Sequence, residues 1–263
     1  MTTHLEHVPA LEQYLTSAGV IAPGDAWIDA LRQVPRHRFV PARAWATPQD
    51  NRPEHTINRD DAPEQWWDAI YTNTAIVTQR ANGSADVADT TAAPTSSLSC
   101  PHVSIEFLKL LDLAVHHRVL EIGTGTGWSA AMIEHRVGAD HVTTIEVDPR
   151  VASTASDNLK AAGSSVEVLT GDGALGIPGQ HPHDRVHVTC GVLQIPYAWV
   201  EQTRPGAVIV LPWTPPGGGW GYQVRLDVLD DGTAIGRIGT EAAFMLMRTH
   251  STPAVSRGQE LPS

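Results

Sequence analysis

A doubly wound, Rossmann-like α/β fold with an N-terminal helical cap is what this sequence predicts, and three observations predict it. Apolar runs at 119–122, 142–146, 166–169, 186–189 and 207–211 alternate with stretches of helical spacing, the pattern of parallel strands joined by crossover helices. The first run opens into glycines at alternate positions, Gly123, Gly125 and Gly127, before a helical pattern starts at Trp128. Ahead of all this, Leu5, Val8, Leu11 and Leu15 recur at helical spacing with polar residues between them.

The elements follow in order. A second helical pattern begins near Asp25, a suitable N-cap, and sets Trp27, Ile28 and Leu31 on one face. The run Val34 to Pro41 reads as irregular, because its prolines punctuate it. Residues 46–64 read as loop, and 66–71 and 75–79 restore apolar, partly β-prone character. Residues 80–95 offer almost nothing to bury, so they are expected as a flexible loop, either a lid or a linker. A helix over 103–113 then feeds the opening strand. After the glycines, helices over 128–137 and 150–162 end at Gly138 and Gly163, with Asp148-Pro149 starting the second. Asp231-Gly232 between apolar runs marks a hairpin, residues 242–247 form a last strand candidate, and 251–263 are expected to be a disordered tail.

Composition narrows the function classes. Lys and Arg total 18 against 29 Asp and Glu, for a net charge of −11 over 263 residues. Such a balance disfavours a phosphate-backbone footprint, so nucleic acid is excluded as a partner. Two cysteines, Cys100 and Cys190, make no disulfide framework. The first residues lack a basic and apolar leader, no run is long enough to span a membrane, and a cytoplasmic monomer is the expectation. No metal is expected: His181 and His183 lack ligand spacing, and His116-His117 are read as a cap on the preceding helix.

Ligands of doubly wound sheets bind at the carboxyl ends of the strands. There the glycine turn meets Glu146 at the end of the next strand and Asp172 at the end of the one after. An acid at Glu146 suits ribose hydroxyls, and Asp172 suits an adenine amino group. Trp128 stands where a dinucleotide fingerprint wants glycine, and Glu121 precedes the turn, where a carboxylate repels phosphate and attracts a cationic group. The pattern therefore favours S-adenosylmethionine over NAD or ATP.

The ordered set of Val34 to Pro41, Ser97-Leu-Ser-Cys-Pro-His102, Val119 to Gly127, Gly171-Asp-Gly173 and Ile195-Pro196 resembles the protein-L-isoaspartate O-methyltransferase family. Residues 67–71, 77–79, 94–97, 231–234 and Phe244-Met245 are similar to a branch associated with ATP-grasp peptide maturation systems. The resemblance implies a class I methyltransferase sheet, S-adenosylmethionine as cofactor, and methylation of an aspartyl or isoaspartyl carboxylate in a protein or peptide. For the ATP-grasp branch it implies an aspartate side chain of a ribosomally made peptide. A cofactor- or peptide-binding module without turnover is the other class. The expected division is an N-terminal helical and substrate-facing segment over 1–79, the loop 80–95, a cofactor-binding domain over 96–250 and the tail.

The implied cofactor contacts are Ser97, Glu121, Gly123, Thr124, Gly125, Thr126, Gly127, Trp128, Glu146, Val147, Asp172 and Gly173. Ser99 matches the family's hydroxyl beside the transferred methyl, with capping of the next helix as its bland alternative. A carboxylate is ionised at neutral pH and attacks an activated methyl without a strong base, so positioning is the expected contribution of the enzyme.

Overall fold

The computed structural model describes residues 4–180, 182–215 and 220–250. Leu5's side chain, His181 and the tail 251–263 lie outside the described residues. The chain opens with helices α1 (His4–Ser17) and α2 (Ala26–Gln33), the latter capped by Asp25, whose carboxylate accepts the Trp27 N–H at 3.0 Å. A single 3-10 turn, Arg36–Phe39, follows.

The expected helical cap also contains a sheet. Strands β1 (Arg43–Pro48), β2 (His55–Asn58), β3 (Thr74–Arg80) and β4 (Pro94–Leu98), with helix α3 (Pro63–Tyr71) between β2 and β3, form an antiparallel sheet in the order β2-β1-β3-β4. Ala44, Ala46, Ile57 and Ile76 are among its fully buried positions. Residues 81–93, expected to be loose, wrap around one guanidinium instead. Arg80 is buried and donates to the carbonyls of Val87 and Ala92, each at 2.8 Å. A buried charge with several acceptors replaces the apolar contacts that this segment lacks.

The second sheet is built from β5 (Val119–Ile122), β6 (Val142–Glu146), β7 (Glu167–Thr170), β8 (His183–Val188), β9 (Thr203–Trp213), β10 (Tyr222–Val228) and β11 (Ala234–Glu241), in the order β11-β10-β9-β8-β5-β6-β7. Strands β7, β6, β5, β8 and β9 run parallel, and β10 and β11 add an antiparallel hairpin at one edge. Helices α4 (Pro101–Leu110), α5 (Trp128–Val137), α6 (Pro149–Ala162) and α7 (Ala198–Glu201) complete the alternation. Asp148 caps α6, and Gly163, at φ +80°, ends it. Residues 242–247 are not a strand: they make only an isolated bridge, Gly191 to Leu246, and run across the strand ends.

Both sheets share one apolar core. Val8, Leu11, Phe39, Ala44, Ile57 and Trp66 of the N-terminal part pack in the same cluster as Ile105, Val119, Trp128, Met132 and Val208. Two polar ties reinforce it. The Trp128 indole N–H donates to the Val34 carbonyl at 3.1 Å, and the Arg36 guanidinium lies 4.7 Å above the Trp128 ring while donating to Ile70 and Thr74 carbonyls. Among the described residues no helix is long and apolar enough to cross a membrane.

Candidate active site

Strand register builds the floor of the site. Glu121 of β5 stands level with Thr144 of β6 on one side and His187 of β8 on the other. Its carboxylate is 0% exposed. It accepts the Thr144 hydroxyl at 3.1 Å and shares a hydrogen bond with His187 Nδ1 at 3.1 Å. Since the Thr144 proton is used on Glu121, the Thr124 hydroxyl is the donor in its 2.8 Å contact with Thr144 Oγ1. Glu121, expected as a cofactor contact, has both oxygens engaged inside the sheet and does not line the cavity, whereas its partner His187 does.

The glycine turn behaves as its spacing requires. Gly123, Gly125 and Gly127 all have positive φ, at +91°, +55° and +92°. A Cβ on Gly123 would strike the Thr189 hydroxyl, and one on Gly125 would come within 3.3 Å of the Ser97 carbonyl. The turn thus passes directly beneath β4. Gly127, also expected as a cofactor contact, is the N-cap of α5 and packs on Leu159, so it supports the turn without lining the cavity. The Gly125 N–H donates to Glu146 Oε2 at 3.0 Å, and Asp148 N–H donates to the other Glu146 oxygen at 3.1 Å.

Above this floor lies a cavity of about 1050 Å³. Ser97, Ser99, Gly123, Thr124, Gly125, Thr126, Trp128, Glu146, Val147, Asp172 and Gly173 all line it. The Thr126 hydroxyl is buried with no hydrogen-bond partner among the described residues. Asp172 spends Oδ1 on the Ala174 N–H at 2.9 Å, as an N-cap, while still facing the cavity. Ser99 is not a cap: the N-cap of α4 is Cys100, and it makes no side-chain cap hydrogen bond. His117 does not cap α4 either. That helix ends at Leu110, and His117 Nδ1 accepts the Ala114 N–H in the turn before β5.

The sequence did not point to the opposite wall. Tyr14, Asn73 and His102 come together there, with the Tyr14 hydroxyl 3.2 Å from His102 Nδ1 and the His102 N–H donated to Asn73 Oδ1 at 3.1 Å. Residues 242–249 form a third side. Their backbone is pinned by reciprocal bonds between Gly191 and Met245 and Met247, each 2.8 Å. Arg248 closes the corner on Asp148 at 3.1 Å, where Gln79 also donates at 3.1 Å. Burial would raise the Asp148 carboxyl, but these bonds and the capping N–H groups hold it below the ordinary carboxylate range. At the floor, burial followed by the nearby Glu146 and Asp172 pushes the Cys190 thiol up to about 12. Burial likewise raises Cys100. Neither thiol is ionised at neutral pH, so neither is set up as a nucleophile.

The arrangement suits a polar, nucleoside-sized ligand. It has a turn that only glycine permits, an orphaned hydroxyl at Thr126, two acids at strand ends, and room beside Ser99 for a second reactant.

Comparison with known proteins bears on the same residues. The family model for protein-L-isoaspartate(D-aspartate) O-methyltransferase matches residues 6–249. A protein-L-isoaspartate O-methyltransferase of Methanopyrus kandleri is 32% identical over 187 residues, which are 70% of this chain and 67% of the relative. One from Methanosarcina mazei is 42% identical over 118 residues, covering 44% of this chain and 49% of its own length. The chain thus spans about half the length of some of the curated relatives it matches. Two solved structures share the fold. One, a protein-L-isoaspartate O-methyltransferase, has a TM-score of 0.68 at 23% identity and covers 93% of this chain and 65% of its own. The other, a putative enzyme of that type from Plasmodium falciparum in complex with S-adenosyl-L-homocysteine, has a TM-score of 0.67 at 14% identity and covers 92% and 98%.

Proposed function

The chain belongs to the protein-L-isoaspartate(D-aspartate) O-methyltransferase family, and on that premise we propose that it methylates the free carboxylate of an aspartyl or isoaspartyl residue in a protein or peptide, with S-adenosylmethionine as methyl donor. The observation that carries this reading is the position of Ser99. It lines the same cavity as the glycine turn, Glu146 and Asp172, and it is not consumed as a helix cap.

The residues present fit the cofactor. Gly123 and Gly125 leave space that a side chain would fill, Thr126 has an unused buried hydroxyl, and Glu146 and Asp172, each already holding backbone N–H groups, keep further lone pairs at successive strand ends. When bound, S-adenosylmethionine supplies an electrophilic methyl group on a sulfonium. The other tasks fall to the chain. Ser97 and Ser99, on and just after β4, stand over the turn. The Ser99 hydroxyl donates a hydrogen bond to the attacking carboxylate and fixes its direction, an interaction worth about 1.5–3 kcal/mol. The wall of Tyr14, Asn73 and His102 and the segment 242–249 exclude water and hold the peptide around it. Holding both reactants in line supplies roughly 7–11 kcal/mol of barrier reduction. No residue needs to remove a proton, because the nucleophile is already an anion.

The test is incubation of the full chain with labelled S-adenosylmethionine and two peptides, one isoaspartyl and one normal aspartyl. Base-labile label on the isoaspartyl peptide supports action on damaged residues, and label on the aspartyl peptide supports a dedicated peptide substrate. Ser99→Ala is expected to keep cofactor binding by calorimetry and lose at least about tenfold in turnover, the equivalent of about 1.4 kcal/mol. Unchanged turnover would remove Ser99 from the catalytic role.

A further inference from the structure

We propose that the free edge of β11 is a docking strand for the polypeptide substrate, which adds beside it as an extended segment and is led into the cavity. The inference rests on the proposed function and supplies what recognises the chain around the modified residue.

Among the described residues, strand β11 is the outermost strand of its sheet and pairs only with β10. It is exposed from Ile235 to Glu241, with Ile235 at 56% and Ile238 at 63%. Long edges with exposed apolar residues are a liability that proteins usually blunt with charge, proline or a cover. Between Ile235 and Ile238, Arg237 is the only charged residue, and it leans toward Asp227 at 3.5 Å.

The ladder says which backbone groups are free. Leu229 N–H donates to the Thr233 carbonyl at 2.8 Å, and the pairs continue as Val228 with Ala234 and Asp227 with Ile235. Alternation in an antiparallel ladder therefore turns the N–H and C=O of Ile235 and Arg237 inward to β10. Those of Ala234, Gly236 and Ile238 face outward along the open edge.

The strand also leads somewhere. Its last residues, Thr240 and Glu241, line the cavity, as do the residues that continue from it. Trp220 lines the mouth at 66% exposure, and its neighbour Gly221 accepts the Ala242 N–H at 2.8 Å, so an exposed indole stands where β11 ends. A peptide strand on this edge gains main-chain hydrogen bonds and arrives beside an aromatic anchor.

Charge selects the occupant. A second copy would bring the same net −11 against a cavity whose lining carries five acids, Glu54, Glu106, Glu146, Asp172 and Glu241, against two arginines, Arg80 and Arg248. An extended substrate segment that is neutral or basic meets no such repulsion.

The test uses the full chain and two fluorescent probe peptides. One carries an alternating valine–threonine segment ending in lysine beside an isoaspartyl residue, and the other is the isoaspartyl core alone. Anisotropy reads binding without turnover. The extended probe is expected to bind at least about tenfold tighter. Ile238→Pro removes an outward N–H that β10 does not use, a substitution tolerated on strand edges, and is expected to abolish the difference. Ile238→Thr keeps that N–H and is expected to keep most of it. Equal binding of the two probes, or an extended-probe affinity that Ile238→Pro leaves unchanged, overturns the proposal. So does sedimentation showing a dimer that Ile238→Pro dissociates, which would give the edge to a second copy. Methylation is scored separately, with an aspartyl version of the extended probe beside the two isoaspartyl ones: tighter binding of the extended probe with no methyl ester on any of the three leaves the docking strand standing and removes the proposed activity.

Discussion

Replacing Glu121 by alanine should destabilise the chain by about 3 kcal/mol, and replacement by glutamine by about 1 kcal/mol. The carboxylate is fully buried and satisfies two donors, Thr144 Oγ1 and His187 Nδ1. Leaving a buried donor without a partner costs about 1–3 kcal/mol, and breaking a buried pair costs about 3–5 kcal/mol. The Thr144 hydroxyl has a substitute acceptor in Thr124, 2.8 Å away, so its share of the loss is small. His187 has no such substitute on β5, which places the total near the lower end. Glutamine preserves the shape and one acceptor, and the imidazole can present its lone pair to the new amide N–H. Urea unfolding, with the slope checked for constancy, measures both variants. An alanine variant within about 0.5 kcal/mol of the parent would refute the claim that Glu121 is a tie inside the sheet, and would restore it as a candidate ligand contact.

Gly123→Ala should abolish cofactor binding by calorimetry, because the added Cβ meets the Thr189 hydroxyl at a backbone φ of +91°; unchanged affinity would mean that the turn can shift. Arg80→Met should release the carbonyls of Val87 and Ala92 and make residues 81–93 the first site of limited proteolysis, whereas an unaltered cleavage pattern would show that Arg43–Asp86 and the local turns suffice. Cys190 gives an alkaline signature. Its thiol is raised from the ordinary 9.0 to about 12, so the folded chain holds that proton more tightly than the unfolded chain. Its contribution is complete below pH 9.0 and is lost as pH rises toward about 12. Cys190→Ala should flatten the decline of the urea midpoint over that window, and a slope identical to the parent would count against the burial argument.

The cofactor-binding half was legible because its signals are local. Val119, Leu120 and Ile122 are buried by strands on both sides, Asp148 and Gly163 mark helix ends, and Asp231-Gly232 turns the hairpin. Strands β1 and β4 were not legible. Arg43–Pro48 and Pro94–Leu98 carry little apolar pattern of their own, and their burial comes from β3, which lies between them in the sheet. Residues 242–247 misled in the opposite direction, since an apolar run there covers strand ends instead of pairing along a strand. Glu121 was read from its place in the turn, when its partners are set by register with β6 and β8. That register also reveals His187, which no spacing along the chain announces.

The core shared by the two sheets bears on how such a protein can change over time. A cap joined by a hinge could be exchanged for another by recombination near residue 80 or 95, and a new substrate range would arrive as a module. Here the break would strip Phe39, Trp66 and Ile57 from Ile105, Trp128 and Val208, and would leave the Trp128 indole and Arg36 guanidinium without their partners. Domain shuffling is closed to this architecture. Shifts in what it recognises must come by point substitution along the periphery, at the exposed positions Ala243, Leu246 and Thr249 of the last segment, at Trp220 and on the outer strand, where side chains change without disturbing the interior.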